Sequence, residues 1–275
     1  MEIGPKLART LEAAHGWCIS RYAASVARMD PGARAAVSPI NSGVTISVGS
    51  SPFSFAVGLA MDAPIALAEL DEVEDFFRSR ALPPRIDVCP YTDPGLLPML
   101  QERGYSPSEV TSVLAATLDG TKPPMPSCAN LRWAEGADCD FWVDVVARCF
   151  FHSEPGSQVR SRITALFQVP DSMNVIATIG GEIAGVSGGM LPEDGAVAVL
   201  FGSSVLPPFR NCGTHTAMVL FRLDRARRAG CTLAVTSATP GSVSERNLIH
   251  CGFVPCYEKI TYVASNRLRA ISSAG

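Results

Sequence analysis

The chain has 275 residues, 47% of them hydrophobic, a net charge of −3 and a pI of about 5.8. That length suits one large domain or two ordinary ones. The absence of a dense Lys/Arg tract disfavours a nucleic-acid partner. No unbroken apolar run reaches about 18 residues, so no membrane-spanning helix is expected. Nine cysteines, an odd number, occur without a C-x-x-C pair. Scattered thiols in a reducing cytosol account for them better than a disulfide frame or a zinc site, so a cytoplasmic protein without a bound metal is expected. The first residues carry Glu2, Lys6, Arg9 and Glu12 and no long apolar core, and are not expected to form a signal peptide.

Residues 6–29 read as a helix, with Leu7, Leu11, Ala14, Cys18 and Tyr22 on one face, ended by Asp30-Pro31-Gly32. Strands are predicted over 44–48 and 53–60. An amphipathic helix follows over 67–80, with Leu70, Val73, Phe76 and Phe77 inward and Pro83-Pro84 as its stop. A strand over 85–89, a short helix opened by Pro94 and ended at Arg103-Gly104, and a strand over 110–118 complete the first half. The stretch from Asp119 to Pro126 contains three prolines and a glycine and is the best linker in the chain.

The second half restarts with a strand over 130–134 and helices over about 138–149 and 159–167, separated by a loop from Phe150 to Gly156. Residues 174–191 read as a hairpin turning at Gly180-Gly181. Asp194-Gly195 leads into a long strand over 196–206. A helix over 216–229 ends at Gly230, with Arg227 and Arg228 matched to its C-terminal dipole. A strand over 232–237, a helix over 241–251 closed by Gly252-Phe253, and a strand over 257–263 follow.

The halves end alike. Asp93-Pro94-Gly95 and Gly104-Tyr105 punctuate the first as Thr239-Pro240-Gly241 and Gly252-Phe253 punctuate the second. A repeat of this length implies two domains of one fold, 1–120 and 128–275 joined by a linker at 121–127.

The most informative stretch runs from Ser203 to Thr216. A strand stops at Pro207-Pro208, Arg210 and Gly213 stand three apart, and a helix begins near Thr214. Helix-initial N–H groups lack partners and the dipole adds positive charge, so this turn suits a phosphate or pyrophosphate. The corresponding stretch of the first half, Gly58 to Pro64, precedes a helix bearing Glu69, Asp71, Glu72, Glu74 and Asp75, which would repel one.

From Ser203 to Phe253 the chain resembles the GNAT family of acetyl-CoA-dependent N-acyltransferases. Arg210 and Gly213 match the family's Q/R-x-x-G-x-G/A loop, with His215 in place of its last small residue. The element order over about 130–263 is also similar. The whole layout resembles a tandem GNAT protein with a degenerate first copy. The resemblance implies an α+β fold of two units, each a mostly antiparallel sheet flanked by helices. It also implies acetyl-CoA (coenzyme A) as cofactor. The pyrophosphate would lie on Arg210, Asn211, Cys212, Gly213, Thr214, His215 and Thr216. The pantetheine arm would lie along Ser204, Val205 and Leu206, with Ser244 and Asn247 facing it.

The implied reaction is acetyl transfer to an amine of a small molecule or peptide by direct attack in a ternary complex. It needs a base for the amine, donors for the oxyanion and an acid for the departing thiolate. The family often carries a Tyr as that acid, four residues before the glycine of the Gly-Phe stop; here the position is Leu248. Tyr257 is the substitute candidate, and His152 and Glu154 are the nearest candidate bases. Leu248 and the lack of an obvious base keep a second reading open, a non-catalytic acyl-CoA-binding or regulatory protein. A homodimer is compatible with either.

Overall fold

The computed structural model describes residues 1–49, 52–119, 124–151, 155–193 and 195–265. Helix α1 (Pro5–Met29) leads into strands β1 (Ala36–Ile40), β2 (Gly43–Ser47) and β3 (Phe55–Val57). Helix α2 (Leu67–Arg78), β4 (Arg85–Val88), α3 (Leu96–Glu102) and β5 (Tyr105–Thr117) complete the first half. The second half runs β6 (Asn130–Trp133), α4 (Cys139–Phe150), α5 (Ser157–Phe167), β7 (Val175–Ile179), β8 (Glu182–Met190) and β9 (Val197–Val205). It ends with α6 (Thr214–Arg228), β10 (Leu233–Ala238), α7 (Val243–His250) and β11 (Val254–Ala264).

The sequence-predicted elements recur within a few residues. Strand β1 was not expected: Pro39 lies inside it. It is tolerated because β1 is the edge of the sheet and pairs only with β2, where a missing N–H can face solvent. The Gly180-Gly181 hairpin is confirmed, both glycines having positive φ (60° and 89°), as a two-residue turn requires.

The two halves do not hold separate sheets. One sheet of eleven strands runs β1-β2-β3-β4-β11-β5-β10-β9-β8-β7-β6. The final strand of each half has crossed to the other: β11 pairs antiparallel with β4 over Arg85–Val88, and β5 pairs antiparallel with β10 over Ser112–Thr117. β5 and β11 also pair with each other along most of their length, forming the seam.

Helices α1, α4 and α5 cover one face. Leu11, Cys18, Tyr22 and Val26 of α1 pack on Val113, Ala115, Val199 and Val235, so this N-terminal helix covers strands from both halves. On the other face α2 and α3 bury Leu70, Val73, Phe77 and Leu100 against Ile86 and Tyr262. There α6 and α7 bury Val219, Leu223 and Leu248 against Leu114, Ala198 and Phe253.

The seam also buries charge. Lys259 of β11 contacts Glu12 of α1 (3.1 Å) and Asp87 of β4 (3.0 Å), and its ammonium donates to His15 Nδ1 (2.9 Å). The Tyr257 hydroxyl donates to Glu12 Oε1 (2.7 Å), and Thr261 Oγ1 donates to Asp87 Oδ1 (2.7 Å). Burial and the neighbouring Lys259 push His15 down to about 3, so it is neutral and free to accept. Burial alone would raise the Asp87 carboxyl, but Lys259, His15 and the Thr261 hydroxyl outweigh it and hold it below the usual carboxylate range.

Candidate active site: a forked sheet above an uncapped helix

Strands β9 and β10 are parallel neighbours, but their pairing covers only Val197–Val199 against Leu233–Val235. Beyond that they fork. Thr236 marks the branch, its buried hydroxyl donating to the Leu200 carbonyl (2.9 Å). The register of β9 against β8 slips between Val186 and Gly188, with Gly202 at φ 62° as the bulged residue. The bulge bends Phe201 to Val205 away from β10 and leaves their β10-facing edge without a strand partner.

At the tip of β9 the chain turns through Pro207–Phe209 and enters α6. Gly213 is the residue before the helix and has φ 79°, which a residue with a Cβ adopts only under strain. No side chain caps α6. Among the described residues, no hydrogen bond engages the backbone N–H groups of Asn211 to Thr216.

Helices α2 and α7, which also follow strands of this sheet, both have a carboxylate of their own first turn on a backbone N–H at or before their start. Glu69 accepts from the Ala66 N–H (2.7 Å) at the start of α2, and Glu245 accepts from the Gly241 N–H (2.6 Å) at the start of α7. The first-half counterpart of the α6 turn is closed in further ways. The Ala60 N–H donates to Asn41 Oδ1 (3.0 Å), the Met61 N–H to Ser42 Oγ (2.9 Å), and the Asp93 N–H to the Ala60 carbonyl (2.8 Å). The last bond ties the β3 loop to the β4 loop. What remains at that mouth is a cavity of about 220 Å³ between Ala60–Pro64 and Tyr91–Pro94, smaller than the several hundred Å³ usual for ligand sites.

The expected cofactor residues from Ser204 to Thr216 adjoin one another at the tip of β9. Ser204, Val205 and Leu206 end the open edge of β9, and Arg210 to Thr216 form the turn and first helical residues. Arg210 is exposed, and its Nε donates to the Val205 carbonyl (3.2 Å). Cys212 is exposed, with its thiol on the Arg210 carbonyl (3.4 Å). Burial, then Arg222, pushes His215 down to about 4, and its Nδ1 is buried without a partner. Ser244 is exposed and Asn247 half-buried on α7. Leu248 is buried against Leu223, Cys251 and Phe253, so the position where the family often has Tyr is part of the core.

Tyr257 is elsewhere. The exchange of strands takes it two strands beyond β10, and its hydroxyl is committed to Glu12. Burial first, then the Glu12 carboxylate, raise its pKa far above the usual tyrosine value. It therefore lies apart from the fork as a proton donor. His152 and Glu154 lie outside the described residues.

Two side chains at the fork were not singled out from the sequence. Cys149, at the end of α4, places its thiol against the side chains of Ser204 and Arg210; burial raises its pKa, and these partners oppose the rise. Arg222 of α6 is buried, with 1% of its surface exposed. It donates from Nε to the Met218 carbonyl (3.1 Å), from one terminal nitrogen to the Phe201 carbonyl (3.1 Å) and the Gly188 carbonyl, and from the other to Ser203 Oγ (2.8 Å). Burial pushes its pKa down to about 9. Its signal in the sequence was a charged residue on an otherwise apolar stripe with Met218 and Val219.

Comparison with known proteins bears on this geometry. Residues 139–253 match the acetyltransferase (GNAT) family model. This stretch is a GNAT-family domain. It contains the fork, the bulge, the uncapped helix and the Gly-Phe stop. The chain is similar in fold to a GCN5-related N-acetyltransferase from Kribbella flavida, with a TM-score of 0.62, 17% identity, and coverage of 88% of this chain and 95% of that one. It is also similar to a tandem GNAT protein of the clavulanic acid biosynthesis pathway (TM-score 0.58, 16% identity, 81% and 78% covered). A third similar structure is a GCN5-related N-acetyltransferase from Sphaerobacter thermophilus (TM-score 0.57, 18% identity, 71% and 66% covered). At these identities the likeness is one of fold. No curated protein is matched by sequence. Among the described residues, no helix is long and apolar enough to cross a membrane.

Proposed function

We propose that the protein is an acetyl-CoA-dependent N-acetyltransferase acting on an amine of a small molecule or peptide by direct attack in a ternary complex, with the cofactor held by the unit 128–275 and not by 1–120. The observation that carries this reading is the unpartnered N–H row at Asn211 to Thr216 beside the open edge of β9. Backbone donors at a helix start satisfy a pyrophosphate without obligatory side chains, and an open strand edge suits the amide-bearing pantetheine arm. When bound, acetyl-CoA supplies the activated acyl group. The chain supplies anion binding at Arg210 and the α6 N-terminus, and fixed N–H donors along the bulged edge of β9.

Isothermal titration tests the reading. Acetyl-CoA should bind once per chain, and Arg210→Glu should weaken it at least about tenfold, since the guanidinium's charge is replaced by one that repels phosphate. No binding at about millimolar acetyl-CoA, which corresponds to a binding free energy weaker than about −4 kcal/mol, would sink it.

One observation favours the second reading, acyl-CoA binding without turnover. Leu248 is core and the Tyr257 hydroxyl is committed to Glu12, so neither stands ready to protonate a thiolate. Thiol release across a broad amine panel separates the two: a single amine with sustained turnover establishes the enzyme.

A further inference from the structure

Arg222 is a cation buried in the body of the GNAT domain with no carboxylate beside it; no ion pair among the described residues includes it. The groups facing it are neutral: the Gly188 and Phe201 carbonyls and the Ser203 hydroxyl from β8 and β9, the Met218 carbonyl and His215 from α6, and the Cys251 thiol just beyond α7. Taking a guanidinium out of water is costly unless a counter-charge or a full set of acceptors repays it. Acceptors are present here; the counter-charge is not. An apolar side chain could fill the same volume, as Val219 and Leu223 do on the same helix, so packing alone does not explain an arginine.

Its position gives the explanation. Every acceptor on the sheet lies at the β9 bulge: Gly188 is opposite Phe201 across the slip in register, and Ser203 follows Gly202. Arg222 is therefore beneath the point where the open edge of the fork begins, two turns of α6 along from the uncapped N-terminus. His215, one residue into α6, has a buried Nδ1 without a partner and is close enough for Arg222 to depress its basicity. The charge available from the helix start to the bulge is positive, and among the described residues no ion pair neutralises Arg222.

Resting on the acyl-CoA reading of this fork, we propose that Arg222 is a positioning residue for acyl transfer: its guanidinium holds the β9 bulge in shape and supplies, from beneath the fork, positive charge toward the sulfur that leaves. In the reaction the amine nitrogen forms the new bond to the acyl carbon, the carbon–sulfur bond breaks, and the sulfur departs with the electron pair. The proton lost by the amine passes to base or solvent. A fixed cation that needs no reorganisation lowers the cost of that departing charge.

The test reads the thiol itself and needs no acceptor. The full-length protein is loaded with CoA, and the bound thiol is titrated by the ultraviolet absorbance of its thiolate. In the wild type the bound thiol should ionise about one pH unit or more below free CoA, as expected for a nearby opposite charge. Arg222→Gln keeps a donor for the bulge carbonyls and removes the charge; Arg222→Met removes both. Each should return the thiol to its free-solution value, and Arg222→Met should also weaken CoA binding. A wild-type thiol that ionises as free CoA does overturns the proposal without any variant, so a poorly folding variant cannot rescue it. A lowered thiol pKa unchanged in Arg222→Gln also overturns it. If wild-type protein binds no CoA at all, the acyl-CoA reading fails first and this proposal falls with it.

Discussion

Replacing Lys259 by methionine tests whether the charged seam fixes the strand exchange. Lys259 is 3% exposed, and its two carboxylate partners, Glu12 and Asp87, are 2% and 7% exposed. Methionine fills a similar volume but leaves two buried carboxylates with no cation. Removing one member of a buried ion pair costs about 3–5 kcal/mol, because the remaining charge is uncompensated. For a chain of this size about 1 kcal/mol corresponds to roughly 2–4 °C, so the melting temperature should fall by about 6–20 °C.

The pH dependence has a definite sign. In the wild type the Asp87 carboxyl lies below its ordinary 3.8, so its contribution is present above that value and is lost as pH falls through the lowered pKa. Lys259 is raised above its ordinary 10.5, so its contribution is present below that value and is lost as pH rises through the raised pKa. Between these limits Asp87 and Lys259 contribute a constant amount, while His15, lowered from its ordinary 6.5 to about 3, takes stability away as pH falls below 6.5. In Lys259→Met, burial is left to act on Asp87 without its cation, and its carboxyl rises. A raised carboxyl stabilises below its ordinary pKa and loses that as pH rises, so the variant's deficit should be larger at about pH 8 than at about pH 5. Urea unfolding at both pH values, with the slope checked for constancy, measures this. The double variant Glu12→Gln/Lys259→Met should recover a substantial part of the loss, since paired groups couple. A deficit under about 1 kcal/mol at both pH values, or one that grows as pH falls, would refute the reasoning.

Other substitutions probe the fork. Gly213→Val places a Cβ at φ 79°, 3.3 Å from the Cys128 sulfur, so about 1–2 kcal/mol of strain and a tenfold or greater loss of acetyl-CoA affinity by titration are expected. Leu248→Tyr should not restore an acid. The site is core, so overpacking should cost about 1–3 kcal/mol in unfolding assays with no gain in thiol release. Glu69→Ala should cost about 1 kcal/mol by loss of the α2 cap, while CoA stoichiometry stays at one per chain; a second binding event would contradict closure of the first half.

Much of this architecture was legible in the residues. The periodicity of α1, the Gly-Gly hairpin and the Arg210-x-x-Gly213 entry to a helix each follow from local rules that the tertiary structure obeys. The exchange of β5 and β11 was not legible. Residues 110–118 and 254–263 have similar patterning, and a strand's sequence says which face is buried, not which neighbour lies beside it. The placement of Tyr257 depended on that neighbour. Judged from its position just past Gly252-Phe253 it belongs near the fork; once β11 crosses the seam it joins Glu12 and Lys259. Arg222 was obscured for a related reason: only the bulge 34 and 21 residues earlier in the chain, at Gly188 and Phe201, reveals why a charge tolerates burial there.

The two halves share an architecture and differ in what occupies one helix terminus. Ahead of α2 the chain spends Glu69 on the Ala66 N–H and Asn41 and Ser42 on the Ala60 and Met61 N–H groups of the preceding loop, side-chain partners that the turn before α6 lacks. A helix start that is satisfied internally gains stability at all times and gains nothing from a ligand, whereas an open one is stabilised only when an anion arrives. Closure also ties β3's loop to β4's through Asp93, which removes the gap that a bound arm would need. The first half can then serve the second mechanically: α1 packs on Val199 and Val235 at the base of the fork, and β5 lies against β10. One wall of the fork is thereby braced by a strand and a helix from the other half. Loosening the seam should therefore weaken CoA binding even though Lys259 itself sits on β11, two strands from β10, and Lys259→Met offers that comparison in the same preparation used for its stability.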